Sequence, residues 1–173
     1  AHYDDIAILY RAHYHAMELQ VELSRRGLPF VITSGLRFFE QAHVKDLVAQ
    51  IRFVANPKDV TAFMRFACLL PKIGEKTASK LLGMAEKTSK SKEMRVTDAL
   101  SEPDLLKKVP ADAKEDWDAL VETLQSIDQL AGSATPTKVV DEAINGWYQE
   151  YLRATYENWP RREEDLESLV DFA

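Results

Sequence analysis

With 173 residues, 46% hydrophobic and 29% charged, the chain has enough apolar material for one core or two small domains and is not a disordered polypeptide. No apolar run approaches the ~20 residues needed to span a bilayer and no signal peptide opens the chain, so no membrane partner is expected. The net charge of −6 argues at first against nucleic acid, but residues 1–95 carry 15 Lys/Arg against 10 Asp/Glu while residues 96–173 carry 7 against 18, so one basic surface on an acidic body is expected.

The opening run Ile6-Ala7-Ile8-Leu9-Tyr10-Arg11, preceded by Asp4-Asp5, reads as a short buried strand, too brief for a helix. Residues 14–26 follow with helical spacing of Met17, Leu19, Val21 and Leu23, and Arg25-Arg26-Gly27 supplies a basic last turn and a stop. Pro29 to Thr33 reads as a second strand. A strand–helix–strand unit of this kind is part of an α/β layer, and two strands make an incomplete sheet, so the chain is expected to be a segment of a longer protein.

From Gln41 onward the pattern is helical. Val44, Leu47, Val48, Ile51 and Val54 form one apolar face that ends at Asn56-Pro57, and Asp59 is placed to cap a helix running to Leu70. After the connection Pro71–Gly74, a further helix is expected to about Lys87, then a mobile Ser/Lys linker over Thr88–Lys92. Amphipathic helices over about 112–131 and 136–156, and one after Pro160, complete the chain; Pro136 and Pro160 suit first-turn positions. Cys68, without a partner for a disulfide, reads as a buried thiol and fits the reducing cytoplasm.

The sharpest local pattern is Leu70-Pro71-Lys72-Ile73-Gly74-Glu75-Lys76-Thr77-Ala78. It resembles the helix-hairpin-helix motif, Leu-Pro-Gly-Ile-Gly-x-Lys-Thr-Ala, with Lys72 where the motif has its first glycine. A tight turn of this type aims backbone N–H groups and a helix N-terminus at a phosphate, without reading bases. Candidate DNA contacts are therefore Lys72, Ile73, Gly74, Lys76, Thr77 and Lys80, with Lys76 and Lys80 on one helical face. A packing corner with a solvated basic face is the alternative. Gly74-Glu75-Lys76-Thr77 is no P-loop, because Gly and Lys are not adjacent and the earlier glycine is missing. A second turn, Leu106–Lys114, has alanines where the glycines belong and an acidic helix after it, and reads as structural. His13, His15 and His43 match no metal spacing, so no metal site is expected. The carboxylates Glu163, Glu164, Asp165 and Glu167 read as a solvated helix start. Trp147, Tyr148, Tyr151, Tyr156 and Trp159 read as core.

Three segments in order resemble superfamily 1A DNA helicases of the UvrD/Rep/PcrA family. Ile6–Arg11 is similar to motif IV. The stretch Phe30–Glu40, with Val44–Leu47 and Val54–Pro57, is similar to the next conserved block, and the hairpin follows at the distance the family gives it. The resemblance implies a mainly α chain: a partial RecA-like α/β segment with two short strands (residues 1–68, part of domain 2A), then a helical 2B-like domain over 69–173 with a helix-hairpin-helix at 70–82. The boundary falls between 68 and 100. It implies a parent that is an ATP-dependent 3′→5′ DNA helicase using ATP and Mg. Tyr10 would pack beside the adenine and Arg11 would reach the γ-phosphate, where a guanidinium stabilises transition-state charge. Partners would be a single-strand/duplex DNA junction and the remaining domains 1A, 1B and 2A. This chain, without Walker A or B loops, would be inactive alone. One departure is Gln41-Ala42-His43-Val44-Lys45-Asp46, where the family has Arg-x-Glu-Ile-Lys-Asp. Rival readings are a stand-alone helix-hairpin-helix repair module and a protein-interaction domain built on the acidic half.

Overall fold

In the computed structural model, the described residues are 2–10, 16–32 and 38–172. They form ten α-helices: α1 (Met17–Arg25), α2 (Ala42–Ala55), α3 (Val60–Ala67), α4 (Glu75–Lys92), α5 (Val96–Ala99), α6 (Pro103–Leu106), α7 (Lys114–Leu130), α8 (Pro136–Asn145), α9 (Trp147–Thr155) and α10 (Trp159–Phe172). Short 3-10 turns occupy Tyr3–Asp5, Phe38–Glu40 and Ala111–Ala113.

The mainly helical expectation holds, but the two strands do not. Residues 6–10 and 28–32 are extended or irregular, and among the described residues no strand occurs. A strand exists only as part of a ladder, and neither segment forms one among the described residues. Their apolar side chains are correspondingly open: Ile6, Ile8, Leu9 and Val31 are all exposed, Leu9 almost completely. Arg11 and Thr33, at the expected strand ends, lie outside the described residues.

The helices follow their local signals closely. In α1 the last turn closes through Gly27, whose φ of +65° favours glycine, and Leu28 N–H reaches Leu23 O at 2.9 Å. Asp59 caps α3 by accepting from Ala62 N–H at 2.9 Å. Pro136 sits in the first turn of α8, as its missing N–H allows. Two expectations need correction. The Thr88–Lys92 stretch is not a linker but the last turn of α4, which ends when Glu93 turns left-handed (φ 53°) and Ser89 Oγ donates to Met94 O at 2.6 Å. Without Gly or Pro, a Ser/Lys run has no local reason to leave a helix already under way. The helix expected over 136–156 is two, broken at Gly146, where a side chain would collide with Thr123 of α7.

One core runs without interruption from Val44 to Leu169. Its centre is an aromatic group in which Phe53 of α2 meets Phe63 and Phe66 of α3 at ring-centroid distances of 5.1 and 5.6 Å, and Phe63 meets Trp117 of α7 edge-on at 6.5 Å. Tilted and edge-to-face pairs of this kind contribute about 0.5–1.5 kcal/mol each beyond area burial. Helix α2 is the hub, packing on α3, α7, α8 and α10. Trp147 and Tyr148 are buried and Tyr151, Tyr156 and Trp159 pack half-buried beside them, so the aromatic set belongs to the core. Cys68 is half-buried at the end of α3, and burial pushes its thiol up.

A buried polar seam crosses this core. Asp46 is bridged by Arg65 (2.7 Å) and receives the Tyr148 hydroxyl (3.1 Å). His43, fully buried on the same helix, accepts from Arg162 at Nδ1 (2.9 Å), since a guanidinium can only donate. Its Nε2 lies 3.2 Å from Asp165, close but not aligned as a hydrogen bond. Asp165 is therefore not a solvated carboxylate of a helix start; it is buried. Glu163 is likewise engaged, by Arg153 at 2.6 Å and Gln149 at 2.7 Å.

Candidate nucleic-acid interface

The turn between α3 and α4 is built from the inside outward. Leu70 and Ile73 are buried (3% exposed each) and anchor it in the core. Ile73 N–H donates to Leu70 O at 3.2 Å, which tightens the loop and leaves Pro71, Lys72 and Gly74 on the outside. Lys72 occupies the left-handed region, φ +58°. This is the position where the motif carries its first glycine, and the backbone explains why: a Cβ there costs on the order of 1 kcal/mol.

Gly74 is the N-cap of α4, in an extended conformation with open space where a side chain would project. It offers no capping oxygen. The first helical hydrogen bond runs from Ala78 N–H to Gly74 O at 2.9 Å, so the N–H groups of Glu75, Lys76 and Thr77 find no acceptor among the described residues. These are the donors that an anion at a helix N-terminus would use. Lys72, Lys76 and Lys80 are all exposed and enter no ion pair among the described residues, whereas Lys92 and Lys107 are paired with Glu102 and Asp104. Thr77 is half-exposed, and Ile73 can reach a ligand only through its backbone. The turn thus brings together five of the six sequence-derived contacts on one surface, with Ile73 beneath them.

The Leu106–Lys114 turn shares the buried anchors but not the rest. A 3-10 turn leads straight into α7, Val109 and Ala113 are buried, and Glu115 and Asp116 occupy the first helical turn. The other candidate pair is less fully described. Tyr10 ends the extended segment 6–10 and is half-buried; Arg11, His13 and His15 lie outside the described residues. Among the described residues no cluster of three metal-binding side chains occurs. An open cleft of about 340 Å³ lies between α2 and α3, lined by Phe39, Val44, Val48, Thr61 and three cations, Lys45, Arg52 and Arg65. Arg52 is held by Asp59 and Arg65 by Asp46, so two of its three charges are already neutralised.

The model of the UvrD-like helicase C-terminal domain matches residues 1–169. The chain belongs to that family. Among its curated relatives, DNA helicase II of Escherichia coli (strain K12) is 30% identical over 172 residues, covering 96% of this chain and 23% of the relative. A probable DNA helicase II homolog of Mycoplasma capricolum is 27% identical over 170 residues, 97% of this chain and 22% of the relative. The ATP-dependent DNA helicase Rep of E. coli (strain K12) is 37% identical over 91 residues, 51% of this chain and 13% of the relative. The chain therefore spans less than a quarter of the length of these helicases.

Proposed function

We propose that this chain is the DNA-contacting part of an ATP-dependent 3′→5′ DNA helicase, and that the α3–α4 turn grips the phosphate backbone of duplex DNA beside a single-strand junction. The observation that carries this reading is the uncapped N-terminus of α4, exposed and flanked by Lys72, Lys76 and Lys80, which enter no ion pair among the described residues. Three free N–H groups and three ammonium groups on one surface suit a polyanion whose charges repeat regularly, and nothing in the set reads bases. Ile73, Gly74 and Thr77 hold the turn in shape and bring its backbone close to the phosphate. The relatives, named as DNA helicases, support DNA over other polyanions.

In the parent, Tyr10 would stack beside the adenine of ATP and Arg11 would contact its γ-phosphate. The phosphate-cradling lysine loop and the acidic Mg ligands would come from domain 1A and the later part of 2A, with 1B as a further partner domain, and this chain alone would hydrolyse no ATP. The resemblance puts the junction between the 2A-like part (residues 1–68) and the 2B-like part (69–173) between 68 and 100; one core from Val44 to Leu169 crosses that interval, so α2 and α3 pack with the hairpin. A cytoplasmic site of action fits DNA as partner, and no helix among the described residues is long and apolar enough to cross a membrane.

The test is a fluorescence titration of a duplex with a single-stranded tail at low and moderate salt. Wild type should bind weakly, more weakly as salt rises, and Lys72→Ala/Lys76→Ala/Lys80→Ala should lose most of that binding. Binding indifferent to the triple substitution removes the turn from the interface. Absence of binding in a folded sample favours a protein partner for the acidic half.

A further inference from the structure

Helix α4 carries a longer basic feature than the turn at its start. Lys76, Lys80, Lys87 and Lys90 succeed one another by four, seven and three residues. At 3.6 residues per turn these four fall within about 80° of arc and extend about 21 Å along the axis. The buried face of the helix, Ala78, Leu81, Leu82 and Ala85, lies on the opposite side. All four lysines are exposed, and none enters an ion pair among the described residues. The acidic residues Glu75 and Glu86 sit about a quarter-turn to one side. The next lysine, Lys92, lies off the stripe and is tied to Glu102. Because residues 88–92 are helical rather than loose, Lys87 and Lys90 are held in register with the hairpin.

We propose that this stripe is a second, extended contact with the DNA backbone, in which Lys87 and Lys90 hold duplex phosphates beyond those met by the hairpin. The proposal rests on the hairpin reading given above and adds a direction to it: the duplex lies along α4 rather than merely against its tip. Charge and length argue for this occupant. Consecutive phosphates of one strand advance 3.4 Å along the duplex axis, so about 21 Å of helix spans roughly six base pairs. The stripe has no apolar residue to suit a protein surface, and Gly83 in its middle lets a backbone approach closely.

The experiment compares the full chain with Lys87→Ala/Lys90→Ala, both exposed positions whose loss leaves the core untouched. Each is titrated with a tailed duplex over a range of salt, and with the duplex arm cut from about 12 to about 4 base pairs (3.4 Å each). Two phosphate contacts at a slope of ~0.9 each predict a log affinity–log salt slope shallower by about 1.8 in the variant. Wild type should lose affinity when the arm is shortened, by about the amount the double substitution removes, and the variant should be indifferent to that shortening. An unchanged slope, with the Lys72/Lys76/Lys80 variant still losing binding, overturns the stripe and leaves the hairpin standing. If neither variant alters the slope, both readings fall. If the double substitution instead changes only the sedimentation of the chain with itself, the stripe meets the acidic half of a second copy and the proposal is wrong.

Discussion

The hydroxyl of Tyr148 donates to Oδ2 of Asp46 over 3.1 Å, joining α9 to α2 across 102 positions of sequence. Arg65 of α3 closes on the other carboxylate oxygen at 2.7 Å, so three helices meet at one buried charge. Removing the hydroxyl leaves that acceptor short of a partner. Tyr148→Phe should cost about 1–3 kcal/mol in urea unfolding and leave DNA affinity unchanged, since the site faces the core. A neutral result would mean that Arg65 alone satisfies the carboxylate.

The same carboxylate gives a pH dependence. Burial pushes Asp46 above its ordinary value of 3.8, against the opposing pull of Arg65 and the Tyr148 hydroxyl. The folded state thus holds this proton more tightly than the unfolded one. The stabilisation is full below 3.8 and is lost as pH rises through the folded value. The stability difference between wild type and Asp46→Asn should therefore shift against wild type as pH is raised from about 3.5. A difference that is flat in pH, or of opposite slope, would show that the ion pair outweighs burial.

Lys72 sits at φ +58°. Replacing it with glycine should relieve ~1–2 kcal/mol of left-handed strain against ~0.5–1 kcal/mol of added chain entropy. Lys72→Gly is expected to stabilise the chain by about 0.5–1 kcal/mol while removing one ionic contact with DNA, read as a salt slope shallower by ~0.9. A loss of stability would mean that the lysine stem packs on the turn.

Gly146 separates α8 from α9, and a methyl group there would run into the Thr123 side chain. That hydroxyl is already committed, donating to Ala119 O and accepting from Trp147 N–H, both at 2.9 Å. Gly146→Ala should destabilise by about 1–3 kcal/mol, and Thr123→Ala in the same chain should recover part of it. If the single change is harmless, the two helices can part without disturbing the core.

His43 stands where the family has glutamate. A carboxylate there would gain an ion pair with Arg162 but would also face Asp165, which lies 3.2 Å from the imidazole. His43→Glu alone should lose on the order of 3 kcal/mol, because two buried carboxylates would then face one guanidinium, and His43→Glu/Asp165→Asn should regain most of it. Additive losses in that double-mutant cycle would refute coupling between the two positions.

The helices were legible where their signals are local. The apolar spacing of α2, the Asp59 cap and the Gly27 stop each act within one or two turns, and each appears where the sequence puts it. The two strands were not legible correctly, because a short apolar run describes a segment able to pair, while pairing is decided by chain elsewhere. The His43–Asp165 approach was invisible for a similar reason: the residues are 122 positions apart and nothing local to either points to the other. Lys87 and Lys90 could have been found. Their helical spacing with Lys76 and Lys80 is in the sequence, but reading Thr88–Lys92 as a loose tether cut the stripe short.

An unbroken α4 also sets how load passes through the chain. Its 18 residues make a rod of about 27 Å, fastened along one side by Ala78, Leu81, Leu82 and Ala85 and at its far end by the Lys92–Glu102 pair. A tether at 88–92 would stretch and absorb a pull applied at the hairpin. A rod cannot, so a tug on the turn reaches α5 and α6 without slack, and whatever holds the tip turns the whole body with it.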